Sequence, residues 1–198
     1  MSASSRGELL ALQTIGERFA VATSDEASRL CYDAVRTLLK QVRDALHMDV
    51  VFVSEFVDGE RLFRCVDTAA GEDSVVVEGH SDPLEQSYCL RVVDGRLPQA
   101  IPDAMSSPAA LALPATRAVR IGAHLSVPIV LRTGEVFGTL CCFSHQAQPS
   151  LGSADAAALS AIAELIAAGI DGSGAVRDTL WLGAPGGAGR SRPAAASR

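Results

Sequence analysis

The chain has 198 residues, of which 48% are hydrophobic and 20% charged, enough for one packed domain with tails. Its net charge of −6 excludes the basic footprint of a nucleic-acid-binding domain. No apolar run reads as long enough to span a membrane, and MSASSRGELL lacks the basic segment and long apolar stretch of a secretory signal, so the cytoplasm is the expected compartment. Only 5% of residues are aromatic, so the core is expected to be built from Leu, Val, Ile and Ala.

In chain order, Ser5-x-x-Glu8 is a capping-box pattern, and Leu9, Leu12, Ile15 and Phe19 follow at helical spacing. They predict a helix over 6–22. A second box, Thr23-x-x-Glu26, opens a helix to about His47, with an expected apolar stripe of Leu30, Ala34, Leu38, Val42 and Leu46. The period then changes. Val50 to Val57 (VVFVSEFV) is short and β-branched, Asp58-Gly59 is a hairpin turn, and Arg61 to Thr68 reads as the returning strand. Another turn at 69–73 leads to an expected third strand, Ser74 to Glu78.

Asp82-Pro83-Leu84-Glu85 then reads as a helix start, with Asp82 as cap and Pro83 at the first helical position. Asp94-Gly95 is expected to close that helix. A brief strand is read at Gln99–Ile101. Residues 104–120 read as an irregular segment broken by Pro108 and Pro114, with a turn or two of helix over Ala109–Leu113. Ile121–Leu131 and Val136–Phe143 form a hairpin around Arg132-Thr133-Gly134-Glu135, with Pro128 expected at an edge or bulge. Ser153 is read as the cap of a last helix whose stripe is Leu159, Ile162, Ile166 and Ile170. From Gly172 the composition turns to Gly, Ala, Ser, Pro and Arg, a flexible tail with one apolar island around Trp181.

The motifs SYCLRVVDGRLPQAIPDA, IGAHLSVPI and GEVFGTLCCFS, in this order of elements, resemble a GAF domain over about Glu8 to Ile170. The resemblance implies an α+β, PAS-related fold: a central antiparallel sheet with the terminal helices on one face and a pocket-forming segment on the other. The expected organisation is an extension over 1–7, the domain over 8–171 and a tail over 172–198. The resemblance further implies a small-molecule sensor or regulatory module in signal transduction, non-catalytic, pairing as a homodimer through its terminal helices and passing its output to a signalling partner.

The five cysteines, Cys31, Cys65, Cys89, Cys141 and Cys142, form no CxxC and no zinc-spaced cluster with histidine, so reduced thiols and no metal are expected. Cys141 and Cys142 are adjacent in a strand, so their side chains face opposite ways. GAF-fold reductases of free methionine sulfoxide supply an enzymatic alternative. Cys89 stands where that family places a resolving cysteine, but the segment after Ile101-Pro102-Asp103, where the attacking cysteine would stand, is AMSSPAALALPATRAV and holds none. The competing reading of Cys89 is a small buried hydrophobe on a helix. Bilin attachment is disfavoured because Cys89 is followed by Leu90 rather than His. A haem would need an axial ligand such as His80, His124 or His145, though a histidine at a strand end more often caps or hydrogen-bonds. No cofactor is named by the sequence, and the cyclic-nucleotide signature of phosphodiesterase GAF domains is not visible.

The candidate ligand-binding set is Tyr88, Cys89, Arg91, Asp103, Thr116, Arg120 and His124, with Arg117 nearby. Arginine forks and a tyrosine wall suit a small polar or anionic ligand. Equally, Arg91 and Arg120 could pair with Glu85, Asp94 or Asp103 and simply tie the segment down. A third option is a degenerate, ligand-free dimerisation or docking module.

Overall fold

A computed structural model describes residues 24–71 and 76–172. The helix expected over 6–22, the capping Thr23 and the tail with Trp181 lie outside the described residues. The first described helix, α1 (Ser24–Leu46), buries Val35, Leu39 and Val42. Of the expected stripe Val42 is buried, while Leu38 and Leu46 are only partly buried and Val35 and Leu39, one residue along, take the core positions. The helix ends in a Schellman turn, where His47 takes a left-handed φ of 52° and the Met48 amide donates to the Arg43 carbonyl at 3.0 Å.

The strands are β1 (Val50–Val57), β2 (Glu60–Thr68), β3 (Ser81–Pro83), β4 (Ala100–Ile101), β5 (Ala123–Val130) and β6 (Val136–Ser144). They form one antiparallel sheet in the order β3-β2-β1-β6-β5-β4. Asp58 and Gly59 both have positive φ, 51° and 80°, as the tight β1–β2 hairpin requires. A bulge in that pair leaves Arg64 as the extra residue of β2. It switches the alternation, so Arg61 and Phe63 share one face while Cys65 falls on the other.

The expected third strand is corrected. Ser74 and Val75 lie outside the described residues, Val76–Glu78 are not in a strand, and β3 pairs the Glu60–Leu62 end of β2, with Arg61 opposite Asp82. Gly79 (φ 81°) makes the reversal, and the Phe63 amide donates to the His80 carbonyl at 3.0 Å. Pro83 lacks an N–H and sits in this edge strand. The helix start at Asp82 is corrected with it. Leu84–Gln86 is a 3-10 turn, and α2 (Tyr88–Val93) is capped by Ser87, whose Oγ accepts from the Leu90 amide at 3.1 Å. Gly95 closes the helix with φ 77°, as expected.

The segment expected to be irregular holds a 3-10 turn (Ala104–Ser106) and two short helices, α3 (Pro108–Leu111) and α4 (Pro114–Ala118). Each proline that breaks the pattern starts a helix, where its missing N–H costs nothing. Pro128 lies beyond the reach of β4, on the open side of β5. The last helix, α5 (Ser153–Gly172), corrects two expectations. Gly152, not Ser153, holds the cap position: its carbonyl accepts from Ala156, and its amide donates to Asp155 at 2.9 Å. The 19 residues Ser153–Asp171 are also long and apolar enough to cross a membrane by length and composition. In the fold, Ala156, Leu159, Ala163, Ile166 and Ala167 of this helix are buried in the core.

The sheet thus separates two cores. On one face α1 and α5 pack against Val51, Val53, Leu125, Val127, Ile129, Leu140 and Cys142. On the other, α2 and the segment through α4 cover Val50, Phe52, Phe63, Ile101, Cys141 and Phe143. We call these the helix face and the covered face.

Gly138 lies at the centre of the sheet, in the Gly-x-Leu step of β6 opposite Glu55. A Cβ there would collide with the Ser54 backbone carbonyl, which cannot swing aside as a side chain would. The Gly138→Ala variant is therefore expected to lose about 1–3 kcal/mol or more, by the cost of overpacking. A denaturant melt with an unchanged midpoint would contradict this close approach.

Candidate functional site

The covered face is apolar at its margins and polar at its centre. The register aligns Ser54 with Thr139 and Ser126 with Cys141, and places His124 two residues from Ser126 on the same face of β5. Ser54, Ser126 and Thr139 are fully buried, and His124 is 1% exposed. Arg61 enters from β2 and is 8% exposed. The lid over these groups is α2, which contributes Tyr88 and Cys89, and α4, which contributes Thr116; all three are buried.

A chain of contacts links them. The Arg61 guanidinium is held by Asp82 in a two-pronged pair, Nε to Oδ1 at 2.9 Å and Nη2 to Oδ2 at 2.5 Å. Its Nη1 donates to Cys89 Sγ at 3.2 Å. The guanidinium carbon lies 4.8 Å from the Phe63 ring centre and 5.5 Å from that of Phe52. Cys141 belongs to the same buried cluster as Cys89, two residues along β6 from Thr139. Thr139 Oγ1 in turn lies 2.9 Å from Ser54 Oγ, and Cys141 Sγ lies 3.1 Å from His124 Nε2. The His124 ring stands 4.4 Å from that of Tyr88, whose hydroxyl meets Thr116 Oγ1 at 2.6 Å. Thr116 closes the chain by donating to the Ala110 carbonyl.

This setting moves the titrations. Burial alone would raise the Cys89 thiol, but the Cys141 hydrogen bond, the Arg61 charge and the Thr139 hydrogen bond outweigh it and bring Cys89 below the ordinary thiol range. Burial, reinforced by the neighbouring Cys89, pushes Cys141 well above the ordinary thiol range. Burial, reinforced by the Arg61 charge, holds His124 down to about 3 and keeps its imidazole neutral. Two buried polar atoms have no protein hydrogen-bond partner among the described residues: His124 Nδ1 and Ser126 Oγ.

Of the expected site residues, the fold brings Tyr88, Cys89, Thr116 and His124 together. It places Arg91, Asp103 and Arg120 elsewhere. Arg91 donates to the Glu85 backbone carbonyl at 3.1 Å on the surface. Asp103 caps the turn that follows it, accepting from the Met105 amide and the Ser106 hydroxyl. Arg120 is exposed with a left-handed φ of 56°, and its carbonyl lies 2.9 Å from His145 Nδ1. Thus Arg91 does tie its segment down, though to a carbonyl rather than a carboxylate. The ion pairs with Glu85 and Asp94 are made instead by Arg96.

Sequence reasoning missed Arg61, Ser126, Thr139 and Cys141. The available signal was the alternation in Arg61-Leu62-Phe63, which puts a charge on the same face as a phenylalanine. Among the described residues no group of three or more His, Cys, Asp and Glu is placed to hold a metal ion.

The neutral His124 yields a pH test. Its folded value lies below the ordinary 6.5, so the unfolded chain binds the extra proton first as pH falls. This contribution to stability is intact above pH 6.5 and is lost progressively toward 3, by at most about 1.4 kcal/mol per pH unit. Between about pH 7 and 5 the unmodified protein is expected to lose more stability than His124→Phe, measured by paired denaturant melts. Equal losses would show that His124 is not a buried neutral base.

The GAF domain family model matches residues 32–171. Among solved structures the chain is similar to the GAF domain of an Acinetobacter phosphoenolpyruvate-protein phosphotransferase, at 19% identity and a TM-score of 0.60, over 89% of this chain and 98% of that one. It is similar to the phycocyanobilin-bound GAF domain of a cyanobacterial phytochrome, at 15% identity and a TM-score of 0.63, over 84% and 95%. A third similarity is to a type II free methionine-R-sulfoxide reductase from Thermoplasma acidophilum, at 20% identity and a TM-score of 0.55, over 72% and 94%. No curated protein matches the chain significantly. With the six-stranded antiparallel sheet, its two helices on one face and the covering segment on the other, the match over residues 32–171 shows that this chain belongs to the GAF domain family.

Proposed function

We propose that this chain is a non-catalytic sensory or regulatory module that takes a small, neutral, polar molecule beneath its covering segment. The observation that carries this is the pair of unpartnered polar atoms, His124 Nδ1 and Ser126 Oγ, side by side on one face of β5. A buried polar atom without a partner costs on the order of 1–3 kcal/mol, and a ligand with a matching donor and acceptor recovers it. The charge balance favours a neutral ligand. Arg61 is already paired with Asp82 and Cys89, His124 is uncharged, and Arg91 and Arg120 stand outside the cluster.

The short helices α2 to α4 form the element that responds. A ligand shifts their position only in so far as it binds one arrangement better than another. The output is read through α1 and α5 on the opposite face, and pairing of two copies through these helices fits the exposed Leu165 of α5.

Native mass spectrometry on gently purified protein, followed by thermal-shift screening of small amides, alcohols and amino acids, tests this. A bound mass, or a shift reduced in Ser126→Ala, is expected, with that variant binding about tenfold more weakly through the loss of one buried hydrogen bond. No adduct and no shift, in a protein that still dimerises, would replace the sensor by a ligand-free docking module.

The contact between Arg61 and Cys89 favours a second reading, thiol-dependent reduction of free methionine sulfoxide. Against it, residues 104–119 contain no cysteine. Thioredoxin-coupled turnover that disappears in Cys89→Ser would establish the enzyme in place of the sensor.

A further inference from the structure

We propose that the Cys141 thiol fixes the single ring proton of His124 on Nδ1, and that the molecule taken beneath the covering segment is therefore an uncharged carbonyl compound: a ketone, aldehyde, amide or ester. This ligand class rests on the sensor reading above and narrows it.

The frame is a cross-strand one. Cys141 of β6 lies directly opposite Ser126 of β5, and His124 is two residues along that strand, on the same face. The Nε2 atom of His124 stands 3.1 Å from the Cys141 sulfur. His124 is 1% exposed and Ser126 fully buried, and the Tyr88 ring lies 4.4 Å from the imidazole, tilted by 37°. Turning the imidazole over about its Cβ–Cγ bond would set a ring carbon against the sulfur in place of Nε2. The present orientation is the one that makes the contact.

The proton then has one place to go. The ring is neutral, because burial and the Arg61 charge both oppose a second proton. A neutral imidazole holds one N–H and one bare nitrogen. Burial keeps Cys141 a thiol, with one S–H to give and a sulfur that accepts only weakly. The better pairing sends the S–H to a bare Nε2. The ring N–H is left at Nδ1, the atom without a partner among the described residues.

The site thus offers a fixed donor, Nδ1–H, beside the Ser126 hydroxyl, which can give or take. A ligand that brings only an N–H or O–H hydrogen to His124 sets donor against donor and leaves both unsatisfied. A carbonyl oxygen accepts from Nδ1–H, and Ser126 adapts to the rest of the group, giving to the oxygen or taking from an amide N–H. Charged candidates fare worse. An ammonium group brings only donors and meets the Arg61 charge. A carboxylate accepts, but Arg61 is already held by Asp82, so a second negative charge is buried without a cation of its own.

The full chain is labelled with a heavy nitrogen isotope in its four histidines, and the His124 ring is identified by its loss in His124→Phe. Proton–nitrogen correlation spectra at neutral pH are expected to show Nδ1 carrying the proton and Nε2 bare. A proton on Nε2 overturns the proposal. Cys141→Ala is expected to release the proton to Nε2 in part of the population, whereas Cys141→Ser, whose hydroxyl still donates, keeps it on Nδ1. A purely structural role for Cys141 would not separate the two variants in this way. Two probes of similar size then read the ligand class: cyclopentanone, which only accepts, and pyrrole, which offers an N–H and no lone-pair acceptor. The ketone is expected to shift the Nδ1–H resonance with at least about tenfold higher affinity. Pyrrole binding as tightly, or neither probe moving the resonance (as when one water holds both polar atoms), overturns the carbonyl assignment. The spectrum of the unmodified chain decides where the proton lies even if the variants do not fold. The sensor reading fails by a different sign, the absence of any adduct or melting shift across the whole screen, so a bound ligand of another class would sink the carbonyl assignment and leave the sensor standing.

Discussion

A guanidinium held under a helix, away from water, is the constraint around which the covered face is organised. A buried charge is tolerated only when its partners replace the hydration it has lost. For Arg61 those partners come from three places: Asp82 across the β2–β3 pair, Cys89 on α2 and the rings of Phe52 and Phe63. Each of these needs the backbone that carries it to be where it is. The Asp82 pairing fixes β3 against the edge of β2, and the Cys89 contact seats α2 over the sheet. The Arg61 charge in turn works against the upward push that burial alone would give the Cys89 thiol. One inward-facing arginine thereby joins an edge strand, a helix and a thiol into a single electrostatic unit.

The two faces of the sheet are built on different terms. The helix face is closed by aliphatic packing, with Leu39, Leu125, Val127, Ile129 and Leu140 wholly buried. It supplies stability through the area it removes from water. The covered face mixes phenylalanines with serine, threonine, histidine and cysteine, and its cover consists of helices of four to six residues. Such helices are too short to be stable alone and hold their shape only by what they touch. The polar groups thus lie beneath the most deformable layer of the domain, while the stable layer lies behind the sheet.

Much of this arrangement was legible in the residues. The β1 and β6 runs, the Asp58-Gly59 turn and the alternation that sends Cys141 and Cys142 to opposite faces all follow from short-range chemistry, and all appear in the structure. What could not be read were facts of register. Asp82 looks like a helix cap to its neighbours in sequence, and only its position opposite Arg61 makes it an ion-pair partner. Val76 and Val77 have the composition of a strand, yet the strand that pairs β2 on its outer side is Ser81–Pro83, opposite Glu60–Leu62. The candidate site divided along the same line. Tyr88, Cys89 and His124 sit at inward positions of elements the pattern identifies, whereas Thr116 is set by α4, in the segment read as irregular, and Arg91 turns from the same helix as Tyr88 toward the surface.

The strand order also dictates how the chain can assemble. The β1–β2 and β5–β6 hairpins close locally, but the pair at the middle of the sheet, β1 with β6, joins segments separated by everything from Val57 to Val136. Loop-closure entropy must be met before that pairing returns anything, which places it late and makes it slow. All of α2, α3 and α4 lie within the loop that this step closes. The covering layer therefore has no floor to rest on until the two halves of the sheet have met, and the buried polar cluster beneath it is enclosed only after that.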